Sequence, residues 1–316
     1  MTGLRVVHPG ALTTVQDLGR YGYQGMGLSP SGVLDDYSFR MGNIVLGNDP
    51  RSAAVEMVLW APTLEVTVKT AVALVGGEVR AFINGEEAPM WEALVVEPGD
   101  LIEVKEFKTG FASYICVAGG VAVPPVLGSR STDILGMMGG LEGGLVKKDS
   151  VLPVGTPLVP LREMAGRRLG PAYIPDFSGE ATVRVIMGPQ DDYFTDNGIQ
   201  TLLTTPYTVS MKSDRMGLRL EGEVIEHGKG ADIFSEGITV GAIQVPKNGL
   251  PIVLLAGRQT VGGYTKIAVV ASVDIHRAAQ RRPGDTLRFS ATGVDEARGL
   301  LLEREALFQK GSALLE

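Results

Sequence analysis

Two arginines, each beside polar or glycine residues, are the side chains best suited to chemistry in this sequence. The first is Arg258, which precedes Gln259, Thr260 and the pair Gly262 and Gly263. A guanidinium matches a carboxylate or phosphate with two parallel hydrogen bonds. Paired glycines let backbone N–H groups approach an anion. A plain Gly-Gly hairpin turn with a surface arginine has the same local pattern, so both interpretations remain open.

The second arginine lies in the segment 213–217, where Ser213, Asp214 and Arg215 put a hydroxyl, a carboxylate and a guanidinium side by side before a predicted strand. In a pocket, Asp214 would serve as a general base or would orient Arg215. A solvated turn with an ion pair between neighbours is an equally good interpretation. Arg130, among the hydroxyl residues of the segment 128–133, is a further candidate.

Composition and motifs exclude several classes of protein. Lys and Arg number 29 against 36 Asp and Glu, a net charge of −7, which argues against nucleic-acid binding and anionic-lipid binding. The three histidines are dispersed, and the single Cys116 lies in an apolar run, so we expect no metal site and a buried, inert thiol. Phosphate-loop, zinc-protease and nucleophile-elbow motifs are missing.

The elements that must position these residues are mostly short strands. Glycine makes up 42 of the 316 residues, well above the usual ~7%, and β-branched runs alternate with turn residues. Helices are few: one is expected to begin near Asp35 and Asp36, either of which can cap it, others over 274–280 and 295–310, and a fourth within 190–203. The sequence predicts a mainly β fold.

The chain also shows signs of two similar halves. Pro-Gly-Asp occurs at 98–100 and again at 283–285, each time between an apolar run and a strand, and the stretch 166–179 reads as a linker. The uncharged run 109–129 contains helix-breaking glycine and proline pairs, so we interpret it as two strands rather than a membrane span. With no apolar leader at the N-terminus, we expect a cytoplasmic protein.

Nine blocks of sequence, in order, resemble the family of the 5-oxoprolinase C subunit, also called KipA. That family is similar to part of the carboxyltransferase region of urea carboxylase. The matching blocks lie within residues 9–22, 31–35, 43–48, 54–57, 119–132, 213–222, 235–251, 258–264 and 283–285. Two departures are a glycine at 257, where the family has aspartate, and an altered loop over 140–149.

The resemblance implies an architecture. The implied fold consists of two cyclophilin-like β-barrel domains with a few short helices, in agreement with the strand-rich pattern. We expect an N-terminal β-barrel domain over 1–170 and a C-terminal cyclophilin-like β-barrel domain over 171–316.

The resemblance also implies a function. The chain would be one component, inactive alone, of an ATP-hydrolysing 5-oxoprolinase that converts 5-oxo-L-proline to L-glutamate. Its partner components would be a KipI-like protein and a LamB/YcsF-like protein. A lactam amide is resonance-stabilised, so opening it calls for ATP activation and an oxyanion-stabilising site. ATP is therefore expected at the complex.

Two other functions remain open. The chain would otherwise be a regulatory protein that antagonises a KipI-like kinase inhibitor, a role that needs only a partner surface. Or it would be a carboxyltransferase component acting on urea-like or allophanate-like amides. The latter needs biotin on a carrier elsewhere, since Met211-Lys212 lacks the second methionine of a biotinylation motif.

For the amide-cleaving function, we assign roles to individual residues. Asp214, Arg215 and Arg258 are the expected catalytic residues, the arginines as anion clamps. The amides of the glycine pair would form the oxyanion site. The expected substrate contacts are Ser213, Gln244, Gln259, Thr260, Gly262, Gly263, Tyr264 and Arg130.

Overall fold

The computed structural model describes residues 2–311 and 315, which form two compact units. The N-terminal unit comprises the described residues within 1–20, 31–177 and 306–316, and the barrel unit comprises 21–30 and 178–305. Residues 171–177 cluster with the N-terminal unit. The division of the chain into two domains at residue 170 stays a prediction.

The N-terminal unit contains eleven strands in two antiparallel sheets. Their bounds are β1 Gly3–His8, β2 Leu12–Gln16, β3 Ala54–Val58, β4 Thr63–Val66, β5 Thr70–Gly76, β6 Val79–Ile83, β7 Glu86–Ala88, β8 Leu94–Val96, β9 Leu101–Phe107, β10 Ala112–Val117 and β11 Val151–Pro153. One sheet has the order β11-β1-β4-β9-β6-β7 and the other β2-β3-β10-β5-β8. Side chains from both sheets form one apolar cluster.

Strands β3, β5 and β10 are buried along their whole length, and helix α1 (Asp36–Val45) packs against β5 and β10. Of the two expected caps, Asp35 begins this helix, since its carboxylate accepts a hydrogen bond from Ser38 N at 2.9 Å. Gly42 permits the close approach: a Cβ there would lie 2.8 Å from Cys116 Sγ. Burial raises the pKa of the Cys116 thiol, as expected for an inert cysteine.

The barrel unit is built on a closed barrel of seven strands. They are β12 Ala181–Met187, β13 Tyr207–Val209, β14 Gly217–Glu221, β16 Ala242–Gln244, β17 Ile252–Leu254, β19 Lys266–Val270 and β20 Thr286–Ala291. Their order is β12-β19-β16-β17-β14-β13-β20, closed by the parallel pair β12–β20. Strands β15 (Asp232–Gly237) and β18 (Val261–Tyr264) form a separate two-stranded sheet. The mainly β fold is confirmed.

The helices are short except for the last. The four beyond α1 are α2 Leu161–Met164, α3 Asp196–Thr204, α4 Ile275–Ala279 and α5 Val294–Gln309. The predicted segments 274–280 and 295–310 match α4 and α5 within a few residues, and α3 covers the second part of 190–203. No helix in the described part of the chain is both long and apolar enough to cross a membrane.

The two Pro-Gly-Asp segments adopt the same turn. In each, the Asp carboxylate accepts from the backbone N–H three residues earlier, at 2.7 Å for Asp100 and 2.8 Å for Asp285. In each, the glycine has a positive φ and its N–H donates to a strand carbonyl at 2.8 Å. The repeated sequence therefore encodes a repeated backbone geometry.

Candidate functional site

A cavity of about 440 Å³ lies within the barrel unit, beside strands β14, β16 and β17. Its apolar lining comes from the strands and from the prolines that follow β16. Its polar lining combines two cations, two carboxylates, three amides and two hydroxyls. These polar residues are Lys212, Arg219, Asp214, Glu221, Gln244, Asn248, Gln259, Ser210 and Tyr264. Four of the predicted site residues are therefore brought together here: Asp214, Gln244, Gln259 and Tyr264.

The segment 213–217 forms a tight turn at the start of β14. Asp214 Oδ1 accepts from Met216 N at 2.8 Å and from Gly217 N at 3.3 Å. Ser213 Oγ accepts from Arg219 N at 3.0 Å. These bonds use Ser213 and Asp214 to fix the turn, which is the work expected of such residues in turns. Asp214 nevertheless still lines the cavity.

Arg215 is not placed at the cavity, where a side chain that binds the anion of a ligand was expected. Burial of its guanidinium lowers its pKa to about 10, and Arg215 is not among the residues that line the cavity. Its carbonyl accepts from Gly257 N at 2.8 Å. A Cβ at position 257 would lie 3.0 Å from that carbonyl oxygen, so the glycine found here allows the two segments to approach closely.

Arg258 is 5% exposed, and its side chain donates to the backbone. Its Nε lies 3.3 Å from the carbonyl oxygen of Ile238, and Nη1 lies 3.5 Å from that of Leu255. Burial also lowers the pKa of Arg258. Ser29 Oγ donates to the Arg258 carbonyl at 3.1 Å. These contacts give Arg258 a structural role in joining chain segments, which the spacing of the sequence did not reveal.

Gly262 and Gly263 lie in strand β18, where Gly262 is paired with Glu236 of β15. Successive N–H groups of a strand point to opposite sides. The two amides therefore cannot converge on one oxyanion, and they do not form the predicted oxyanion site. Thr260, which precedes the strand, accepts a backbone hydrogen bond from Ile238 N at 3.0 Å and does not line the cavity.

Gln244, at the end of β16, is the unusual group of the cavity. It is 2% exposed, and its Nε2 has no hydrogen-bond partner in the described part of the chain. A buried polar group without a partner is costly and rare in native proteins. Gly262 makes room for this amide, because a Cβ there would lie 2.6 Å from Nε2.

Lys212 and Arg219 are cavity residues that the sequence analysis missed. Neither forms an ion pair within residues 2–311, whereas Glu221 accepts from Ser210 Oγ at 2.5 Å. Arg219 and Glu221 alternate along β14, a period-two pattern that would have placed them on one side of the strand. The cavity therefore presents two cations and two carboxylates to a ligand, together with neutral hydrogen-bond donors.

Arg130 belongs to the N-terminal unit, in a different environment. Its Nε donates to the Val123 carbonyl at 2.8 Å, and its backbone N–H donates to Asp17 Oδ2 at 2.6 Å. The same Asp17 carboxylate accepts from Ser129 Oγ and Ser131 Oγ, each at 2.6 Å. The motifs at 13–22 and 128–132 thus meet around one carboxylate that holds two loops together.

The match to known sequences decides the family. Residues 26–291 match the family described as carboxyltransferase domain, subdomain A and B. The chain belongs to this family. It is also 33% identical to the 5-oxoprolinase C subunit of Escherichia coli, over 97% of both chains, and 32% identical to that of Haemophilus influenzae, over 92% of both.

Solved structures show how this carboxyltransferase unit occurs in larger proteins. The urea carboxylase of Kluyveromyces lactis has a TM-score of 0.90 and 31% identity, with 98% of this chain covering 29% of that one. A structure titled TTHA0988 has a TM-score of 0.82 and 30% identity, with 92% of this chain covering 55% of that one. In both, the matched region is part of a longer chain.

The described residues contain no group of three or more His, Cys, Asp or Glu side chains able to hold a metal ion. The residues that line the cavity offer binding and polarisation by protein donors. Two carboxylates, Asp214 and Glu221, also line it, and both already accept hydrogen bonds.

Proposed function

We propose that this chain is a subunit of an ATP-hydrolysing 5-oxoprolinase, an amide hydrolase that converts 5-oxo-L-proline to L-glutamate. It would act with a KipI-like protein and a LamB/YcsF-like protein, in the cytoplasm. The observation that carries the proposal is length: the two 5-oxoprolinase C subunits align over nearly their whole chains, whereas this chain covers 17–18% of the two urea amidolyases.

The cavity supports this function chemically. In the overall reaction, one water adds across the lactam C–N bond to give a carboxylate and an amine, and a second water is consumed as ATP is converted to ADP and phosphate. The substrate carries a ring carbonyl and a carboxylate, both hydrogen-bond acceptors. The donors Gln244, Lys212 and Arg219 suit such a ligand, and a volume of about 440 Å³ is ample for a five-membered ring.

The chain's own part would be to bind and orient the substrate. Its cavity has no cluster of carboxylates suited to magnesium among the described residues, so we assign no ATP contact to this chain. Asp214 and Glu221, on the cavity wall, are the groups nearest to a role in proton transfer. Because Asp214 already holds its turn, removing it should change both the fold of that turn and turnover.

Reconstitution tests the proposal. The chain is purified alone and mixed with the KipI-like and LamB/YcsF-like proteins of the same organism, and ATP hydrolysis and glutamate formation are followed with and without 5-oxoproline. We expect turnover only in the complete mixture. Equal turnover by the chain alone, or none in a mixture whose components associate, would contradict the proposal.

The structural match to urea carboxylase favours a second candidate, a carboxyltransferase component acting on urea-like or allophanate-like amides. The two functions differ in their co-substrates. Carboxyl transfer requires bicarbonate and a biotinylated carrier, and hydrolysis of 5-oxoproline does not. Activity with urea that depends on bicarbonate and is abolished by avidin would favour the second candidate.

The regulatory alternative predicts binding without turnover. In that case the chain would associate with the KipI-like protein and relieve its inhibition of a kinase, while the complete mixture would leave 5-oxoproline unchanged. The same preparation therefore separates all three functions.

A further inference from the structure

The Gln244 amide is a buried donor that nothing in the described part of the chain uses. Its side chain is 2% exposed, it lines the cavity, and Nε2 has no partner among the described residues. Leaving such a donor without a partner is unfavourable, so a group retained there is expected to find its partner in a ligand. Gly262 makes room for the amide itself, because a Cβ there would lie 2.6 Å from Nε2.

The donor is neutral and buried, so its natural partner is a neutral acceptor. A carboxylate brought to the same depth would require a cation beside it to offset the loss of hydration. The cations that line the cavity are Lys212 and Arg219, both on its more exposed side. The cavity therefore separates two kinds of donor, a buried amide and exposed cations, and the carboxylates Asp214 and Glu221 also line it.

From this arrangement we infer that Gln244 binds the amide carbonyl oxygen of the substrate through Nε2, while Lys212 and Arg219 bind its carboxylate. The substrate class is a small carboxylic acid that carries a second, neutral carbonyl. This inference rests on the proposed function and names the residues that give the site its selectivity. The carbonyl is recognised at the bottom of the cavity and the acid group at its rim.

Three small molecules dissect this recognition in equilibrium titrations of the full chain. 5-Oxoproline has both acceptor groups, 2-pyrrolidone has only the ring carbonyl, and proline has only the carboxylate. We expect Gln244→Met to weaken 5-oxoproline and 2-pyrrolidone about tenfold each, the loss of one hydrogen bond, and to leave proline unchanged. Lys212→Met and Arg219→Met should weaken 5-oxoproline and proline and leave 2-pyrrolidone unchanged.

Methionine at 244 keeps the length of the side chain and removes its polar group, so the barrel should fold. Gln200→Met is the matched control, since Gln200 lies exposed on α3. Equal affinities of the Gln244→Met and wild-type chains for 5-oxoproline would overturn the inference. A fall in melting temperature of more than about 5 °C, without a change in ligand preference, would also overturn it by making the amide a structural group.

The same variants in the reconstituted complex separate this inference from the proposed function. If the wild-type complex turns over 5-oxoproline, Gln244→Met should lower kcat/KM about tenfold, and wild-type kinetics would refute the inference alone. If the wild-type complex is inactive but the chain binds 5-oxoproline through Gln244, the proposed function fails and the inference stands. If the chain binds none of the three molecules, both alone and in the complex, the inference fails.

Discussion

Two polar groups, one in each unit, show opposite ways of using a buried or half-buried polar side chain. In the N-terminal unit, Asp17 accepts four hydrogen bonds from the loops of residues 19 and 129–131. In the barrel unit, the Nε2 of Gln244 has no partner within the described residues. Both residues lie in blocks that resemble the 5-oxoprolinase C subunit, so membership of a motif does not by itself distinguish them.

The difference lies in where the hydrogen-bond capacity goes. The Asp17 carboxylate accepts its hydrogen bonds from the same unit, so its role is to hold two loops together. The Nε2 of Gln244, a residue that lines the cavity, has no partner among the described residues, so its expected role is to bind a ligand. A polar residue satisfied by its own chain indicates structure, and one left unsatisfied beside a cavity indicates a ligand.

The largest effect is expected at Asp17. Replacing it with alanine removes an acceptor of four hydrogen bonds and leaves two backbone N–H groups without their partner. We expect Asp17→Ala to lower the free energy of unfolding by about 3–4 kcal/mol. Denaturant unfolding measures it. Glu303→Ala, an exposed carboxylate on α5, is the control and should change stability by less than about 0.5 kcal/mol.

A second structural carboxylate, Asp274, makes the stability of the fold depend on pH. Asp274 is buried, and Arg184 contacts it with Nε and Nη2, each at 2.7 Å. Burial acts to raise the pKa of Asp274, but the hydrogen bonds and charge of Arg184 outweigh it, so the pKa lies below its ordinary value. The pair therefore stabilises the fold above the ordinary pKa of an aspartate, and the contribution is lost as pH falls through the lower, folded pKa.

Asp274→Asn should cost about 2–3 kcal/mol at pH 7, because it leaves the partly buried Arg184 without its counter-charge. The variant should also lose less stability than the wild type as the pH falls from about 5 to about 2. Unfolding curves recorded across that range provide the measurement. Parallel acid profiles for the two proteins would show that the pair does not carry this pH dependence.

Arg258 decides between the predicted anion clamp and the structural role seen in the fold. Its guanidinium donates to two backbone carbonyls, in a site that is 5% exposed. Arg258→Lys keeps the charge but cannot reproduce both contacts, so we expect a loss of about 1–2 kcal/mol in stability. Substrate affinity measured well below the melting temperature should stay within about twofold of wild type. A large loss of substrate affinity with unchanged stability would show instead that Arg258 binds the anion of the substrate.

The smallest effect has the opposite sign. Gln244→Met removes a buried donor that has no partner in the described part of the chain, so the variant should be more stable than wild type by about 0.5–1 kcal/mol. Denaturant unfolding without ligand checks this, with Gln200→Met as the surface control. A lower stability of Gln244→Met, with Gln200→Met unchanged, would show that Gln244 stabilises the fold as Asp17 does.

Local signals in the sequence predicted the elements well. The Asp35 cap, the two Pro-Gly-Asp turns and the helices near 275–279 and 294–309 follow from residue types that act within a few positions of themselves. Such features depend on backbone geometry and local hydrogen bonds, which the sequence encodes directly.

The site was harder to predict, because its residues converge from distant strands. Arg258 looked exposed beside a glycine pair, yet tertiary packing buries it, and the pair itself became a strand. Lys212 gave no signal, and the period-two pattern of Arg219 and Glu221 gave only their side of the strand, since their place in the cavity depends on barrel closure. Whether a side chain finds its partner inside the fold is a property of the folded barrel and not of local spacing.

The most direct test of this account observes the Gln244 side chain itself. The chain is labelled with nitrogen-15 at glutamine side-chain amides, the Gln244 signal is assigned by its absence from Gln244→Met, and 5-oxoproline is added. We expect the Gln244 side-chain NH₂ signals to shift with saturation, because Nε2 gains an acceptor, while the Gln200 signals stay in place. If 5-oxoproline binds and the Gln244 signals do not move, the substrate lies elsewhere and the central claim is wrong.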